Sequence, residues 1–196
     1  MQWWLRQQHA DEHWCYTDNL FTSEECDNIV EILTNGKVQL QEAVVGGSDD
    51  GKVDKNIRDS TIGWVPTDEQ TSWIFQKLTD GILNINERFY KYDLLYIENL
   101  QFTMYDSVTN QYYGKHIDMM YKTFQTRKLS FSVQLTDPAM YKGGDFVYHH
   151  GKDPMHLPRT KGTCLYFPSW ALHEVTPVTK GTRYSLVGWV NGPKFR

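Results

Sequence analysis

Tyr112-Tyr113-Gly114-Lys115-His116-Ile117-Asp118 decides how the rest of this chain is read. The run reads as an extended segment, in which alternate side chains share a face. His116 and Asp118 are therefore expected on one side, an imidazole next to a carboxylate. The pair offers two candidate ligands for a metal ion.

A third ligand must come from elsewhere in the chain. His173 is the best candidate, in Ser169-Trp170-Ala171-Leu172-His173-Glu174-Val175, between a proline-bounded turn and an apolar strand. Two histidines and one carboxylate form the facial triad that holds non-haem Fe(II) and leaves positions open for other ligands. Ten residues after His173 comes Arg183, at the start of the strand-like run Arg183 to Val190. Period two puts Arg183, Ser185, Val187 and Trp189 on one face, so a guanidinium fork and a hydroxyl lie side by side. Such a pair suits a carboxylate held close to the metal.

The order His-x-Asp, a gap, His and then Arg resembles the Fe(II)- and 2-oxoglutarate-dependent dioxygenases, and within them the prolyl 4-hydroxylase-like branch. Gly143-Gly144-Asp145-Phe146 and His173-Glu174-Val175-Thr176-Pro177-Val178 strengthen the match, which covers the C-terminal half of the chain. The resemblance implies Fe(II) on His116, Asp118 and His173, with 2-oxoglutarate and O2 as cosubstrates and ascorbate as a reductant. It implies hydroxylation of a prolyl residue in a peptide or protein, with succinate and CO2 as coproducts. Arg183 would grip the distant carboxylate of 2-oxoglutarate, assisted by Tyr105 and Ser185. Tyr113 and Trp189 match aromatic residues near substrate and cosubstrate, and Arg58, in Asn56-Ile57-Arg58-Asp59-Ser60-Thr61-Ile62-Gly63-Trp64, matches an arginine near the part that closes over substrate. Bland competitors stand beside these readings: a hairpin with a surface arginine for Arg58, core aromatics for Tyr105 and Tyr113, simple packing for Trp189.

Three hypotheses of different class follow. The first is the oxygenase, with a free amino acid or other small molecule as the variant substrate. The second is a zinc hydrolase using the same three ligands and an activated water. The third is a jelly-roll binding module without catalysis. Arg183 favours the first, because hydrolysis has no evident need of a buried cation there.

The chain has 196 residues, of which 40% are hydrophobic and 14% aromatic, enough for one sizeable core. A net charge of −4 gives no general attraction to phosphate backbones or anionic lipids, so neither nucleic acid nor a membrane is the expected partner. No apolar run approaches the roughly 20 residues of a membrane span, and the N-terminus lacks the apolar core of a signal peptide. A cytoplasmic protein is expected. Three cysteines without Cys-x-x-Cys spacing indicate neither a disulfide framework nor a cysteine zinc site; Cys26 and Cys164 read as small apolar residues of a helix and a strand.

One compact domain is expected, with residues 1–92 as a helical and strand support region and 93–196 as the core. The aromatic-rich start, with Trp3, Trp4, Trp14 and Tyr16, should pack on the outside. Thr22 with Glu25 forms a capping box that opens a helix ending at Asn35-Gly36, with Phe21 stapled onto Cys26. Lys37 to Val45 reads as a strand, Gly46 to Lys52 as a loop, and Thr67 with Gln70 as a second capping box opening a helix to about Tyr90. From Asp93 onward, strands over Leu95 to Tyr105, Lys128 to Leu135, Thr163 to Phe167 and Arg183 to Val190 predict an α+β, mainly β fold, a two-sheet jelly roll or barrel with the N-terminal helices packed on one sheet; with the family resemblance, the expectation is a double-stranded β-helix (jelly roll) core. Specificity is expected in loops such as Gly46 to Lys52 and Tyr121 to Arg127. His149, His150 and His156 read as solvated loop residues, and Asp49-Asp50 as a solvated turn.

Overall fold

The structure, a computed structural model, describes residues 13–45, 51–120 and 125–194. The elements run β1 (Cys15–Thr17), α1 (Ser23–Ile32), β2 (Gln41–Glu42), β3 (Arg58–Asp59), β4 (Thr61–Val65), α2 (Ser72–Ile85), β5 (Tyr96–Ile97), β6 (Leu100–Asp106), β7 (Tyr112–His116), β8 (Gln125–Gln134), β9 (Lys142–Gly143), β10 (Phe146–His149), β11 (Pro154–His156), β12 (Cys164–Pro168), β13 (Leu172–Val175), β14 (Val178–Lys180) and β15 (Thr182–Pro193). Their pairing is antiparallel. A large sheet has the order β1-β12-β8-β15-β6-β4-β2 with β5 attached to β15, and a smaller one has the order β11-β10-β13-β7-β3. Of the jelly roll or barrel that the strand pattern predicts, this is the two-sheet jelly roll, with helices on one sheet.

Period two along β15 explains how one sheet serves two layers. Leu186 and Val190 face one way and join the apolar cluster that includes Cys26, Ile29, Ile74 and Leu78 of the two helices. Arg183, Ser185, Val187 and Trp189 face the other way, toward the smaller sheet. A second apolar cluster, with Phe146, Phe167 and Val175, fills the space between the sheets.

The same strand carries a glycine where no side chain fits. Gly188 pairs with Phe131 across the ladder, and a Cβ built on it would come within 2.3 Å of the Phe131 ring. Gly188→Ala should therefore push that ring off its packing at a cost of about 1–3 kcal/mol. At roughly 2–4 °C per kcal/mol for a chain of this size, thermal unfolding should fall by several degrees. Metal binding should be retained, because the clash is on the helix side of the sheet; an unchanged melting temperature would contradict the assignment.

Helix α1 begins as the sequence predicts. Thr22 Oγ1 accepts the Glu25 N–H at 3.2 Å and Glu25 Oε2 accepts the Thr22 N–H at 2.8 Å, and Gly36 leaves the helix with φ 90°. Phe21 and Cys26 are both fully buried in the helix-side cluster. Helix α2 differs from expectation. The capping box of Thr67 with Gln70 does not form; Asp68 Oδ1 accepts the Gln70 N–H at 3.0 Å and Thr71 Oγ1 donates to the Pro66 carbonyl, so a turn occupies these residues and the helix starts at Ser72. An aspartate that bonds its own backbone two residues on competes with the helix there. The far end matches, as a wider turn carries the helix through Tyr90 and Lys91 stops it at φ 55°.

The expected strand over Lys37 to Val45 is reduced to β2 and a single bridge from Val45 to Lys52. Trp3 and Trp4, the loop residues 46–50 including Asp49-Asp50, and residues 121–124 lie outside the described residues. Cys26 and Cys164 are buried free thiols in α1 and β12. Among the described residues no helix is long and apolar enough to cross a membrane.

Candidate active site

Strand register brings the two histidines together. His116 at the end of β7 pairs directly with His173 of β13, with ring centroids 4.1 Å apart. Asp118 arrives differently from the sequence expectation, because β7 ends at His116 and alternation no longer governs the residues beyond it. Instead the N–H groups of Asp118 and Met119 both donate to the Ser169 carbonyl, at 2.9 and 2.8 Å, which turns this segment back toward the end of β12. The carboxylate then lies between the imidazoles, 3.6 Å from His116 Nε2 and 3.5 Å from His173 Nε2.

Each imidazole is held by a backbone carbonyl two residues before it. Nδ1 of His116 lies 2.8 Å from Gly114 O and Nδ1 of His173 lies 2.9 Å from Ala171 O. A carbonyl only accepts, so Nδ1 carries the proton and the Nε2 lone pair points at the shared space, the tautomer a metal ligand needs. Tyr113 stacks on His116 at 3.5 Å, and Phe146 and Phe167 flank His173. Burial, reinforced by the neighbouring His173, pushes His116 down to about 4, so it is neutral near pH 7. Burial alone would push Asp118 up, but His173, His116 and a hydrogen bond from Ser130 outweigh it and the carboxyl is held below its usual value.

These residues fit a cation. One ligand atom from each of His116, Asp118 and His173 lies within 4.8 Å of the others. Asp118 Oδ2 is fully enclosed and has no hydrogen-bond partner among the described residues. A buried carboxylate oxygen without a hydrogen-bond partner is costly unless a cation lies beside it.

Arg183 stands deeper in the same cleft and is 1% exposed. Register with β6 sets it opposite Tyr105, whose ring centroid is 5.5 Å from the guanidinium. Its Nη1 donates to Ser185 Oγ at 3.3 Å and its Nη2 to Gln134 Oε1 at 2.9 Å, while Nε is enclosed without a partner. All of these partners are neutral. The sequence-predicted residues Arg58, Tyr105, Tyr113, His116, Asp118, His173, Arg183, Ser185 and Trp189 all line this one cleft of about 410 Å³, mouth included.

Three site features escape the sequence reading. Gln134 and Gln101 hold the cleft's two arginines, and Arg127 lies 3.9 Å from the Trp189 ring, paired with Glu98 at 2.6 Å. A signal for Gln134 exists in hindsight: the polar positions Ser130, Ser132 and Gln134 of β8 are uncharged, unlike a solvated strand face. His149 corrects an expectation, for it ends β10 and pairs with Glu174 at 2.8 Å instead of lying in solvent. His150 packs on His13 at 3.8 Å between ring centroids. His156 is largely exposed, 3.7 Å from Asp145.

The model of the 2OG-Fe(II) oxygenase superfamily matches residues 100–191, the span that contains all three candidate ligands and Arg183. The match, over just under half of the chain, supports a 2OG-Fe(II) oxygenase. The superfamily match and the His-Asp-His cluster together imply Fe(II), 2-oxoglutarate and O2. A PKHD-type hydroxylase from Gloeothece citriformis is 40% identical over 48% of this chain and 43% of the relative, and one from Crocosphaera subtropica is 27% identical over 89% of this chain and 76% of the relative. The chain thus spans less than half of the former. Among solved structures, a Pseudomonas putida prolyl-4-hydroxylase superposes with TM-score 0.72 at 18% identity, covering 93% of this chain and 94% of the other. A Trichoplax adhaerens prolyl hydroxylase, solved with a fragment of the hypoxia inducible factor oxygen degradation domain, also gives TM-score 0.72 at 18% identity, over 91% and 83% of the two chains. The fold is that of the prolyl 4-hydroxylase-like jelly-roll oxygenases.

Proposed function

We propose that this oxygenase hydroxylates a prolyl residue in a peptide or protein, releasing succinate and CO2. The observation that carries the reading is one cleft that holds the His-Asp-His cluster together with a buried arginine whose hydrogen-bond partners among the described residues are neutral. The kinship of the fold to prolyl hydroxylases supports the choice of substrate. A zinc hydrolase using the same ligands would leave Arg183 without a task.

In this proposal His116, Asp118 and His173 hold Fe(II). Arg183 takes the distant carboxylate of 2-oxoglutarate in a two-pronged, charge-assisted contact, with Ser185 and Tyr105 beside it. Iron and 2-oxoglutarate supply the oxidative decarboxylation that activates oxygen for insertion into an unactivated C–H bond. The chain's part is positioning and exclusion of water: Phe146, Phe167 and Tyr113 wall the imidazoles with apolar surface. Tyr113, Trp189 and Arg58 face substrate at the outer end. Ascorbate, as a reductant that restores ferrous iron, and a cytoplasmic location belong to the same proposal.

The test is a panel of peptides and metabolites incubated with Fe(II) and 2-oxoglutarate, scored by succinate formation and a product mass gain of one oxygen. A proline-containing peptide that gives both is the expected result. Oxygen gain only on substrates without proline would refute the prolyl assignment, and no 2-oxoglutarate turnover on any of them would count against the reading as a whole.

A further inference from the structure

Charge around the cleft does not balance, and the excess sits on Arg58. Strand β3 pairs with β7 so that Arg58 stands opposite Tyr113, its guanidinium 4.5 Å from the ring centroid and the residue 7% exposed. Its Nε donates to Ser60 Oγ at 2.8 Å and its Nη2 to Gln101 Oε1 at 2.9 Å, whereas Nη1 makes no hydrogen bond among the described residues. These partners orient the cation without cancelling its charge. Neighbouring arginines are treated differently: Arg127 is paired with Glu98 at 2.6 Å and Arg159 with Asp145 at 2.5 Å.

A guanidinium cannot shed its proton on burial, and a buried charge without a counter-ion is expensive. Among the described residues Asp118 is the one acid lining the cleft. With the cofactors in place, the double charge of Fe(II) and the charge of Arg183 are met by Asp118 and the two carboxylates of 2-oxoglutarate. Arg58 is left over, with a single positive charge and a nitrogen open to a further acceptor.

We infer that the substrate carries a carboxylate that docks against Arg58 between Gln101 and Tyr113. A planar carboxylate fits the guanidinium fork, and its single charge closes the ledger where a phosphate dianion would overshoot it. The inference rests on the oxygenase reading above and narrows its substrate to an acid, the terminus of a peptide chain or, in the variant reading, a free amino acid.

Protein loaded with Mn(II) in place of Fe(II) and saturated with 2-oxoglutarate is titrated with acetate, and with acetamide as its neutral twin, by tryptophan fluorescence. Trp189 lines the cleft and Trp64 lies 6.5 Å from it, so occupancy should alter the signal. Acetate is expected to bind at least tenfold more tightly than acetamide. Arg58→Gln should erase that preference and Arg58→Lys should retain part of it, while both variants still bind 2-oxoglutarate and so report an intact fold. Competition by glycine and by N-acetylglycine then tells a free amino acid from a chain terminus. Equal binding of acetate and acetamide, or a preference that survives Arg58→Gln, would overturn the inference. Failure of the unaltered protein to bind 2-oxoglutarate would instead bring down the oxygenase reading beneath it.

Discussion

Asp118→Ala is expected to abolish turnover by losing the metal. Loss of outer partners of a metal ligand typically costs 10- to 100-fold in affinity, so loss of the one anionic ligand should exceed about 100-fold. Were the cluster a structural ion pair instead, truncating one member would destabilise by about 3–5 kcal/mol and there would be no metal to lose. Metal content by elemental assay separates the two accounts, and a variant that keeps its iron would refute the metal role.

Arg183→Met should weaken 2-oxoglutarate binding without changing metal content. Methionine fills a similar volume but donates nothing. Removing one member of a buried, hydrogen-bonded charge pair costs about 2–5 kcal/mol, which is roughly thirty-fold to several thousand-fold in Kd. Gln134 and Ser185 would lose their donor, yet neither holds the metal. Titration of the Mn(II)-loaded variant with 2-oxoglutarate is the measurement, and an affinity within twofold of the unaltered protein would end Arg183's claim to that carboxylate.

The sequence speaks loudest where chemistry demands particular residue types in a particular order. His116, Asp118, His173 and Arg183 are legible for that reason, and the alternation that places Arg183, Ser185 and Trp189 on one face of β15 is legible from the strand itself. Arg58 is harder. Whether it meets solvent or the cleft depends on the pairing of β3 with β7, a contact across more than fifty residues that no local pattern announces. Ser130, Ser132 and Gln134 mislead in the opposite sense, since polar alternation normally marks a solvated face, yet all three are buried and Ser132 lines the cleft. The late start of α2 shows local competition, because Asp68 and Thr71 satisfy the backbone in a turn before a helix can use it.

The histidine pair belongs to the smaller sheet and Arg183 to the larger, while the loop bearing Asp118 is pinned to Ser169 beyond the end of β12. A dicarboxylic acid reaching from the metal to Arg183 would therefore act as a rivet through both leaves of the sandwich. Loading the site should then draw the two leaves into a single mechanical unit, so that grip on the cosubstrate and resistance to the leaves sliding apart become one property.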